Sequence, residues 1–322
     1  MKKRRYDYMK KVVLIRRTGL GDFIAGMVPI CNYLQNVYGK CDFYFFMNDR
    51  NAELVKYFFP DAHIYCISQK GNKYVKTLKT ALKYRSIKPD IGFSPMPDYP
   101  KLNNLFLYLI GAKERYGRVT SVISKAVNHP YSCTEDDLYK NSVALCSLKF
   151  FDHNIKKVPY EVYPNFNQSL IKPYTYLCPG KIHIMVEVSN NRATSQLSNC
   201  KTADVLNALA DSTQFSVLIT AKESDHSKAD DLKSLLKVNA EIYITPNIHD
   251  FISYVNAADI VLCGDGGLGH IAGALNKRVV ALYGRTSVDH WGILGHNVRH
   301  LYNSTDVNNI NNQSIIGALQ SF

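Results

Sequence analysis

Short β-rich runs alternate with longer amphipathic segments along most of the chain, and this alternation constrains the fold more than any other feature. In the first half, "VVLIRR" precedes a helical pattern from Asp22 to about Tyr38, and "DFYFFM" precedes another near residues 50–59. The alternation restarts at "KIHIMVEV" (181–188) and continues through "FSVLITA", "AEIYIT" and "DIVLCG". Parallel strands need a crossover connection, which is usually a helix. The sequence therefore predicts an α/β fold with parallel sheets.

Two series of such units indicate two domains, because 322 residues exceed the usual size of a single domain. Between the series, residues from about 112 to 170 are less regular and rich in Tyr, Asn and Pro, as expected of short strands, a lid or a linker. We predict an N-terminal domain over residues 1–172 and a C-terminal domain over residues 173–322. The last helix, within "VNNINNQSIIGALQSF", is a candidate to pack back on the N-terminal domain.

The formal charge of +12 indicates an anionic partner, such as nucleic acid, an acidic membrane face or a phosphorylated substrate. Nucleic acid is disfavoured because the chain has no zinc-finger spacing, no RNP-like motif and no heptad-bearing basic helix. The densest basic run, the N-terminal "KKRR", suits anionic lipid headgroups or a solvated tail. No apolar run reaches the roughly 18 residues that span a bilayer, and the run after the basic start is too short for a signal peptide. We therefore expect a cytoplasmic protein.

The eight cysteines show no CxxC pair and no short ligand spacing. Several lie inside apolar runs, where a thiol behaves as a small hydrophobic group. We therefore predict reduced, structural cysteines and no metal site.

The first candidate ligand site is the turn "TGLGD" (residues 18–22), which follows the first predicted strand. Glycines there let the backbone approach a ligand, and the start of the next helix attracts anions. The turn is not a dinucleotide fingerprint, because Ile24 stands where the third glycine belongs, and it is not a P-loop, because no Gly-Lys-Ser/Thr follows. Asp22 would repel phosphate, so the turn suits a neutral, hydroxyl-bearing ligand. The alternative is that Asp22 only caps the helix.

The second candidate site is "CGDGGLGHIAGAL" (263–275), in which a buried strand ends and a helix of small residues follows. Free N–H groups at such a helix start form a phosphate cradle. His270 can donate to a phosphate oxygen, and Asp265 stands at the carboxyl end of a strand, where open α/β sheets bind ligands. The alternatives are a buried structural histidine and a helix cap.

Together the two stretches resemble a known family. "VLIRRTGLGDFIAGMVPI" is similar to the N-terminal signature of the ADP-heptose:lipopolysaccharide heptosyltransferases, glycosyltransferase family 9, and "AADIVLCGDGGLGHIAGALNKRVVALYGRTSVDHWG" is similar to its C-terminal signature. The two matches lie nearly a chain's length apart and in the family's order, so their joint occurrence is far more specific than either motif. Clear resemblance covers about a sixth of the chain.

The resemblance implies the GT-B fold: two Rossmann-like domains face each other across a cleft, with the acceptor on the N-terminal domain and the nucleotide-sugar donor on the C-terminal one. It implies inverting transfer with no metal ion and no cofactor. The donor would be ADP-heptose and the acceptor an anionic glycolipid core. These partners imply a cytoplasmic enzyme with peripheral contact to the inner face of the inner membrane through its basic N-terminus.

The resemblance also implies roles for particular residues. Asp22 matches the family's proposed catalytic base, and the acceptor-binding turn beside it holds Thr18, Gly19 and Gly21. Asp265 matches the acid that contacts the hydroxyls of the donor sugar. The other donor-binding residues would be Gly266, Gly267 and His270 at the diphosphate and Glu223 near the ribose, with "TPNIHD" near the base.

One position departs from the family pattern. Where the family usually carries Lys or Arg just before a Trp or Leu, this chain has Gln196 before Leu197, and Arg192 is the nearby donor-binding candidate. The alternatives are a family-like transferase that uses another nucleotide sugar and a catalytically silent nucleotide- or glycan-binding homologue. A Rossmann dehydrogenase is a poorer alternative because the third glycine is missing, although Asp49 after the second strand mimics a ribose-binding acid.

Overall fold

The computed structural model describes the chain in seven ranges. These ranges are residues 8–16, 19–67, 71–95, 100–131, 140–174, 180–210 and 214–322. The chain divides into two compact units, Met1–Pro164 and Asn165–Phe322. Within the described ranges, each unit contains a six-stranded sheet whose strands are connected largely by helices.

The sheet of the N-terminal unit has the strand order β3-β2-β1-β4-β5-β6, and its paired strands are parallel. Its strands are β1 (Lys10–Arg16), β2 (Cys41–Met47), β3 (His63–Cys66), β4 (Ile91–Phe93), β5 (Glu114–Arg118) and β6 (His129–Tyr131). The α-helices of this unit are α1 (Leu20–Asp22), α2 (Val28–Tyr38), α3 (Asp49–Phe58), α4 (Lys73–Lys83), α5 (Pro100–Leu109) and α6 (Val143–Leu148).

The sheet of the C-terminal unit is also parallel and has the order β12-β11-β10-β7-β8-β9. Its strands are β7 (Ile182–Glu187), β8 (Phe215–Thr220), β9 (Ala240–Ile242), β10 (Ile260–Gly264), β11 (Arg278–Tyr283) and β12 (Val298–Tyr302). The α-helices of this unit are α7 (Asn199–Ala210), α8 (His226–Leu235), α9 (Ile248–Ala257), α10 (Gly267–Ala274), α11 (Val288–Trp291) and α12 (Asn312–Gln320).

The two sheets share one topology. In both, the first three strands run outward on one side of the sheet and the next three on the other, which is the doubly wound order 3-2-1-4-5-6. The order reverses between β1 and β4 in the first sheet and between β7 and β10 in the second. Open α/β sheets bind ligands at such switch points, beyond the carboxyl ends of the strands. The loops that follow these four strands are therefore where the sites are expected.

Continuous apolar runs form the central strands, because helices cover both faces of a parallel sheet. All residues from Val12 to Arg16 in β1 are buried, and the run pairs with the equally buried β2. In the second sheet, β10 pairs with β7 through Val186 and Leu262, and the core extends into α7 and α12. The predicted α/β class with parallel sheets is confirmed.

The helix after β1 contains one wide turn. Residues Phe23–Met27 form a π-helical turn between α1 and α2, in which the N–H of Val28 donates to the carbonyl of Phe23. Pro29 follows, and a proline inside a helix has no N–H to donate and clashes with the carbonyl four residues earlier. The wider turn accommodates this proline. Such π-turns often occur at functional sites, and this one begins directly after Asp22.

The unit boundary lies eight residues before the predicted one at 172/173, since the second unit begins at Asn165. Phe166 explains the difference, because it is buried and its N–H donates to Ala274 at the end of α10. The last helix was a candidate to pack on the N-terminal domain. Ile315, Ile316 and Leu319 of α12 belong to the hydrophobic core of their own unit, and packing of this helix on the N-terminal domain stays a prediction.

In the described ranges, no helix is both long and apolar enough to cross a membrane. Six cysteines lie in these ranges, and all six are free thiols. Cys133 and Cys178 lie outside the described residues.

Candidate functional site

An ion pair lies at the switch point of the second sheet. Asp265 directly follows β10, and its side chain is 7% exposed. The guanidinium of Arg192, from the loop after β7, is paired with the Asp265 carboxylate. Arg192 also lies 3.4 Å from the hydroxyl oxygen of Thr286, which follows β11. Loops from three neighbouring strands therefore meet at one point.

Asn190 holds the loop that carries Arg192. Its side-chain amide donates to the carbonyl of Asp265 at 2.9 Å, and its side-chain oxygen accepts the N–H of Arg192 at 3.0 Å. The same loop packs closely against the end of β10. A Cβ atom at Gly264 would lie only 1.8 Å from the carbonyl oxygen of Ser195. Only glycine fits there, so the first glycine of "CGDGG" serves the packing of this loop.

The start of α10 presents backbone N–H groups to the same crevice. Its N-cap is Gly266, which has no side chain to satisfy them. A Cβ atom at Gly267 would meet no atom within 4 Å, so the space over the first turn is open. Unsatisfied N–H groups at a helix start favour an anion. The geometry of this turn suits the predicted diphosphate cradle.

Glu187 places a further carboxyl group under this turn. It ends β7 and is partly buried, and its Oε2 atom lies 3.9 Å from the position of a Cβ atom at Gly266. Burial raises the pKa of Glu187 to about 7, although the positive charge of Lys222 acts in the opposite direction. Near neutral pH this carboxyl group is therefore protonated in a substantial fraction of molecules.

The predicted donor-binding residue His270 and the departing position Gln196 have different surroundings. His270 lies in α10 and is 4% exposed. Burial lowers the pKa of the nearby His300, and the charge of His270 lowers it further. The contact of His270 with a phosphate stays a prediction. Gln196 turns inward, and its amide donates to the carbonyls of Glu187 and Leu197, both at 3.0 Å. The Gln196 amide is therefore engaged with the backbone of β7 and of its own loop.

The loop after β8 lies at the same edge of the sheet. Glu223 is exposed there, in the short 3-10 turn Glu223–Asp225. Ser189 ties this loop to the one after β7, because its hydroxyl group donates to Asp225 at 2.7 Å and accepts the N–H of Lys222 at 3.0 Å. The position suits the predicted ribose contact of Glu223, which stays a prediction. The segment "TPNIHD" follows β9 and includes Asn247, the cap of α9.

Asp22 lies at the equivalent edge of the first sheet. Its carboxylate accepts the N–H of Gly19 at 3.1 Å, and it lies 3.5 Å from the guanidinium of the fully buried Arg16. The side chain is still 29% exposed, so Asp22 caps the helix and also reaches solvent. Gly19 is exposed and Gly21 is partly exposed in the same turn, whereas Thr18 lies outside the described residues.

Three residues of the second switch point were missed by the sequence analysis. They are Glu187, Asn190 and Thr286. Glu187 carried the same signal as Asp265, a carboxylate at the carboxyl end of a buried strand. Asn190 and Thr286 carried none, because their roles depend on contacts with residues 75 and 94 positions away.

Comparison with known proteins gives a family for the C-terminal part of the chain. Residues 201–317 match the model of glycosyltransferase family 9 (heptosyltransferase). No match to a curated protein is found by sequence. The predicted resemblance to family 9 is confirmed.

Three solved structures are similar over nearly the whole chain. E. coli ADP-heptose LPS heptosyltransferase II has a TM-score of 0.73 at 17% identity, covering 97% of this chain and 98% of its own. A glycosyltransferase family 9 protein from Veillonella parvula has a TM-score of 0.80 at 12% identity, with coverages of 97% and 96%. E. coli heptosyltransferase WaaC with ADP has a TM-score of 0.74 at 11% identity, with coverages of 97% and 99%. At these identities the likeness shows the fold, and the predicted GT-B class is confirmed.

Proposed function

We propose that the chain, whose residues 201–317 match the model of glycosyltransferase family 9 (heptosyltransferase), transfers heptose from ADP-heptose to a lipopolysaccharide or lipooligosaccharide core. The transfer would invert the anomeric configuration and use neither a metal ion nor a cofactor. The observation that carries the proposal is the meeting of Arg192, Asp265 and the open Gly266–Gly267 turn at the second switch point.

On the donor side, the site contains groups that can bind each portion of a nucleotide diphosphate-sugar. The N–H groups at the start of α10 would bind the diphosphate, with His270 as a further donor. Arg192 would take the place of the basic residue that the family usually carries one position before Leu197, since its guanidinium reaches Asp265. Asp265 would accept hydroxyl groups of the sugar, and Glu223 would approach the ribose.

On the acceptor side, Asp22 would act as the general base. It would take the proton of the acceptor hydroxyl group while that oxygen bonds to the anomeric carbon and the bond to the diphosphate breaks on the opposite face. The diphosphate leaves with the bonding electrons, and the positive charge and N–H groups of the donor site stabilise it. The segment Thr18, Gly19 and Gly21, in which Gly19 is exposed, would receive the acceptor.

The charge distribution supports an anionic acceptor on the N-terminal unit. Residues 1–164 contain 27 Lys and Arg against 14 Asp and Glu, a formal charge of +13. Residues 165–322 contain 12 against 13, a formal charge of −1. Such asymmetry between halves favours a negatively charged partner for one of them. We place this unit against a phosphorylated glycolipid at the inner face of the inner membrane.

A second candidate is transfer from another nucleotide sugar. Gln196 favours it, because its amide is engaged with backbone carbonyls where the family usually has a cation. The donor site of this chain therefore differs from the family pattern in the position of its basic residue.

Titration with ADP-, UDP-, GDP- and CMP-sugars, followed by transfer assays with each ligand that binds, tests the proposal. The expected result is selective binding of ADP-heptose and transfer to the core acceptor. Selective binding and transfer with another nucleotide sugar would establish the second candidate. Tight binding of NAD with no binding of any nucleotide sugar would contradict both.

A further inference from the structure

Glu187 is a donor-site candidate that none of the family motifs contains. It stands at the carboxyl end of β7, the strand next to the switch point. Val186 pairs with Leu262, so Glu187 lies beside the end of β10. Its Oε2 atom lies 3.9 Å from the position of a Cβ atom at Gly266. The carboxyl group therefore lies directly below the turn that forms the proposed diphosphate cradle.

Within the described residues, the Glu187 side chain makes no hydrogen bond. A partly buried carboxyl group without a hydrogen bond loses free energy of solvation. A ligand group that bonds to it would recover that loss. The backbone carbonyl of Glu187 is already engaged by Gln196, so the residue's backbone is fixed while its side chain is available.

The charged and titratable groups around Glu187 come from each neighbouring element. Lys222, after β8, contributes positive charge, although its ammonium group is bonded to the side chain of Asn191. Asp265, after β10, is neutralised by Arg192 from the loop after β7. Cys263 of β10 stays a neutral thiol, because burial raises its pKa. His270 of α10 is buried beyond the turn. Within the described residues, Lys222 and Arg192 are therefore each engaged with another side chain, and neither forms an ion pair with the Glu187 carboxyl group.

An ionised Glu187 would repel a diphosphate bound at the Gly266–Gly267 turn. A protonated Glu187 has an O–H group that can donate a hydrogen bond to a phosphate oxygen. The raised pKa of Glu187, about 7, makes the protonated form accessible at neutral pH. Binding of a dianion next to the carboxyl group would favour that form further.

We propose that Glu187 holds the diphosphate of the nucleotide through a hydrogen bond donated by its protonated carboxyl group. The proposal rests on the proposed function, because it assumes that a nucleotide diphosphate occupies the second switch point. It gives this chain a neutral donor in the crevice from which the family's usual cation is missing. Donor affinity then depends on pH through this residue.

The experiment is calorimetric titration of the full chain with ADP at about pH 6 and about pH 8. The variants are Glu187→Gln, whose amide is a permanent donor, and Glu187→Ala, which has no donor. Glu241→Gln, on the edge strand β9 and bonded to Tyr174, is the matched control. The terminal phosphate of ADP also titrates, but it contributes equally to every variant.

We expect ADP affinity to fall as the pH rises from about 6 to about 8. In the wild type and in the Glu241→Gln control, this fall should be about tenfold larger than in Glu187→Gln. Glu187→Ala should bind weakly at both pH values while remaining folded. If Glu187→Gln shows the wild-type pH dependence, the role of Glu187 is wrong and the proposed function stands. If ADP and the nucleotide sugars fail to bind the wild type at either pH, both are wrong.

Discussion

Arg192 and Asp265, 73 positions apart in sequence, form an ion pair at the switch point of the C-terminal sheet. The pair joins the loop after β7 to the end of β10. It also neutralises the buried carboxylate of Asp265. A donor that engages both residues would exchange this pair for contacts with its diphosphate and its sugar.

Arg192→Ala should weaken donor binding or slow transfer, because a charge-assisted contact typically contributes about 1.5–3 kcal/mol. It should also lower the melting temperature, since Asp265 loses its cation while remaining buried. Arg299→Ala, which removes an exposed arginine on β12, is the control and should leave donor binding unchanged. Equal donor Kd and kcat in the Arg192 variant and the wild type would show that Arg192 does not bind the diphosphate.

Gly264→Ala should destabilise the C-terminal unit, because its Cβ atom would meet the carbonyl oxygen of Ser195. Relief requires a shift of the loop that carries Arg192, so we expect a loss of about 1–3 kcal/mol in the free energy of unfolding. Gly267→Ala is the matched control, because a Cβ atom there meets open space. Denaturant unfolding measures both, and equal stability of the two variants would refute the account of this loop.

Glu187→Gln should stabilise the protein at neutral pH. The unfolded carboxyl group ionises near its ordinary pKa of 4.5, whereas the folded one stays protonated until about pH 7. The folded state therefore binds more protons between these values, and stability falls as pH rises through that window. Removing the carboxyl group should recover about 1–3 kcal/mol at pH 7 and almost nothing at about pH 4. Unfolding curves at both pH values measure this, and a pH-independent difference would contradict it.

The basic N-terminus should give reversible, salt-sensitive binding to anionic membranes, because each Lys or Arg near such a surface contributes roughly 1 kcal/mol. The "KKRR" run lies outside the described residues, but β1 begins at Lys10, and the N–H of Lys11 donates to Asp90. The test is a variant that lacks residues 2–7, because a deletion that ends there removes the basic run and leaves β1 intact. Cosedimentation with phosphatidylglycerol vesicles measures the effect, with phosphatidylcholine vesicles as the control. Unchanged binding after the deletion would contradict the prediction.

The sequence predicted the central strands well and the peripheral ones poorly. β1, β2 and β10 are buried on both faces, so they appear as unbroken apolar runs. β12 was missed because it is an edge strand, and "VRHLY" carries the polar residues Arg299 and His300. β5, "ERYGR", is similarly polar and lies next to the edge strand β6. Edge strands need few apolar residues, so their sequences carry little periodicity.

The residues of the candidate site that form one continuous motif could be predicted from the sequence. The residues that join the site through strand pairing could not. Asp265, Gly266 and Gly267 form one continuous motif, which the sequence reveals directly. Glu187 and Asn190 join them only because β7 pairs with β10 in the folded sheet. That adjacency follows from the doubly wound strand order, and one sequence does not specify it.

Asp22 makes two contacts, and both are compatible with a role as a general base and with a role as a helix cap. Its carboxylate accepts the N–H of Gly19 and lies beside the buried guanidinium of Arg16. Asparagine at this position can still accept the N–H of Gly19, although Arg16 loses a carboxylate neighbour. We therefore expect Asp22→Asn to fold, with a modest decrease in melting temperature, and to bind the donor with the wild-type Kd.

The most direct test of the account is the kcat of Asp22→Asn for transfer to the acceptor, measured well below its melting temperature. If Asp22 takes the proton of the acceptor hydroxyl group, kcat should fall by about 10²–10⁴, the usual contribution of general base catalysis. A folded Asn variant that binds the donor and turns over at the wild-type rate would contradict this and leave Asp22 as a helix cap.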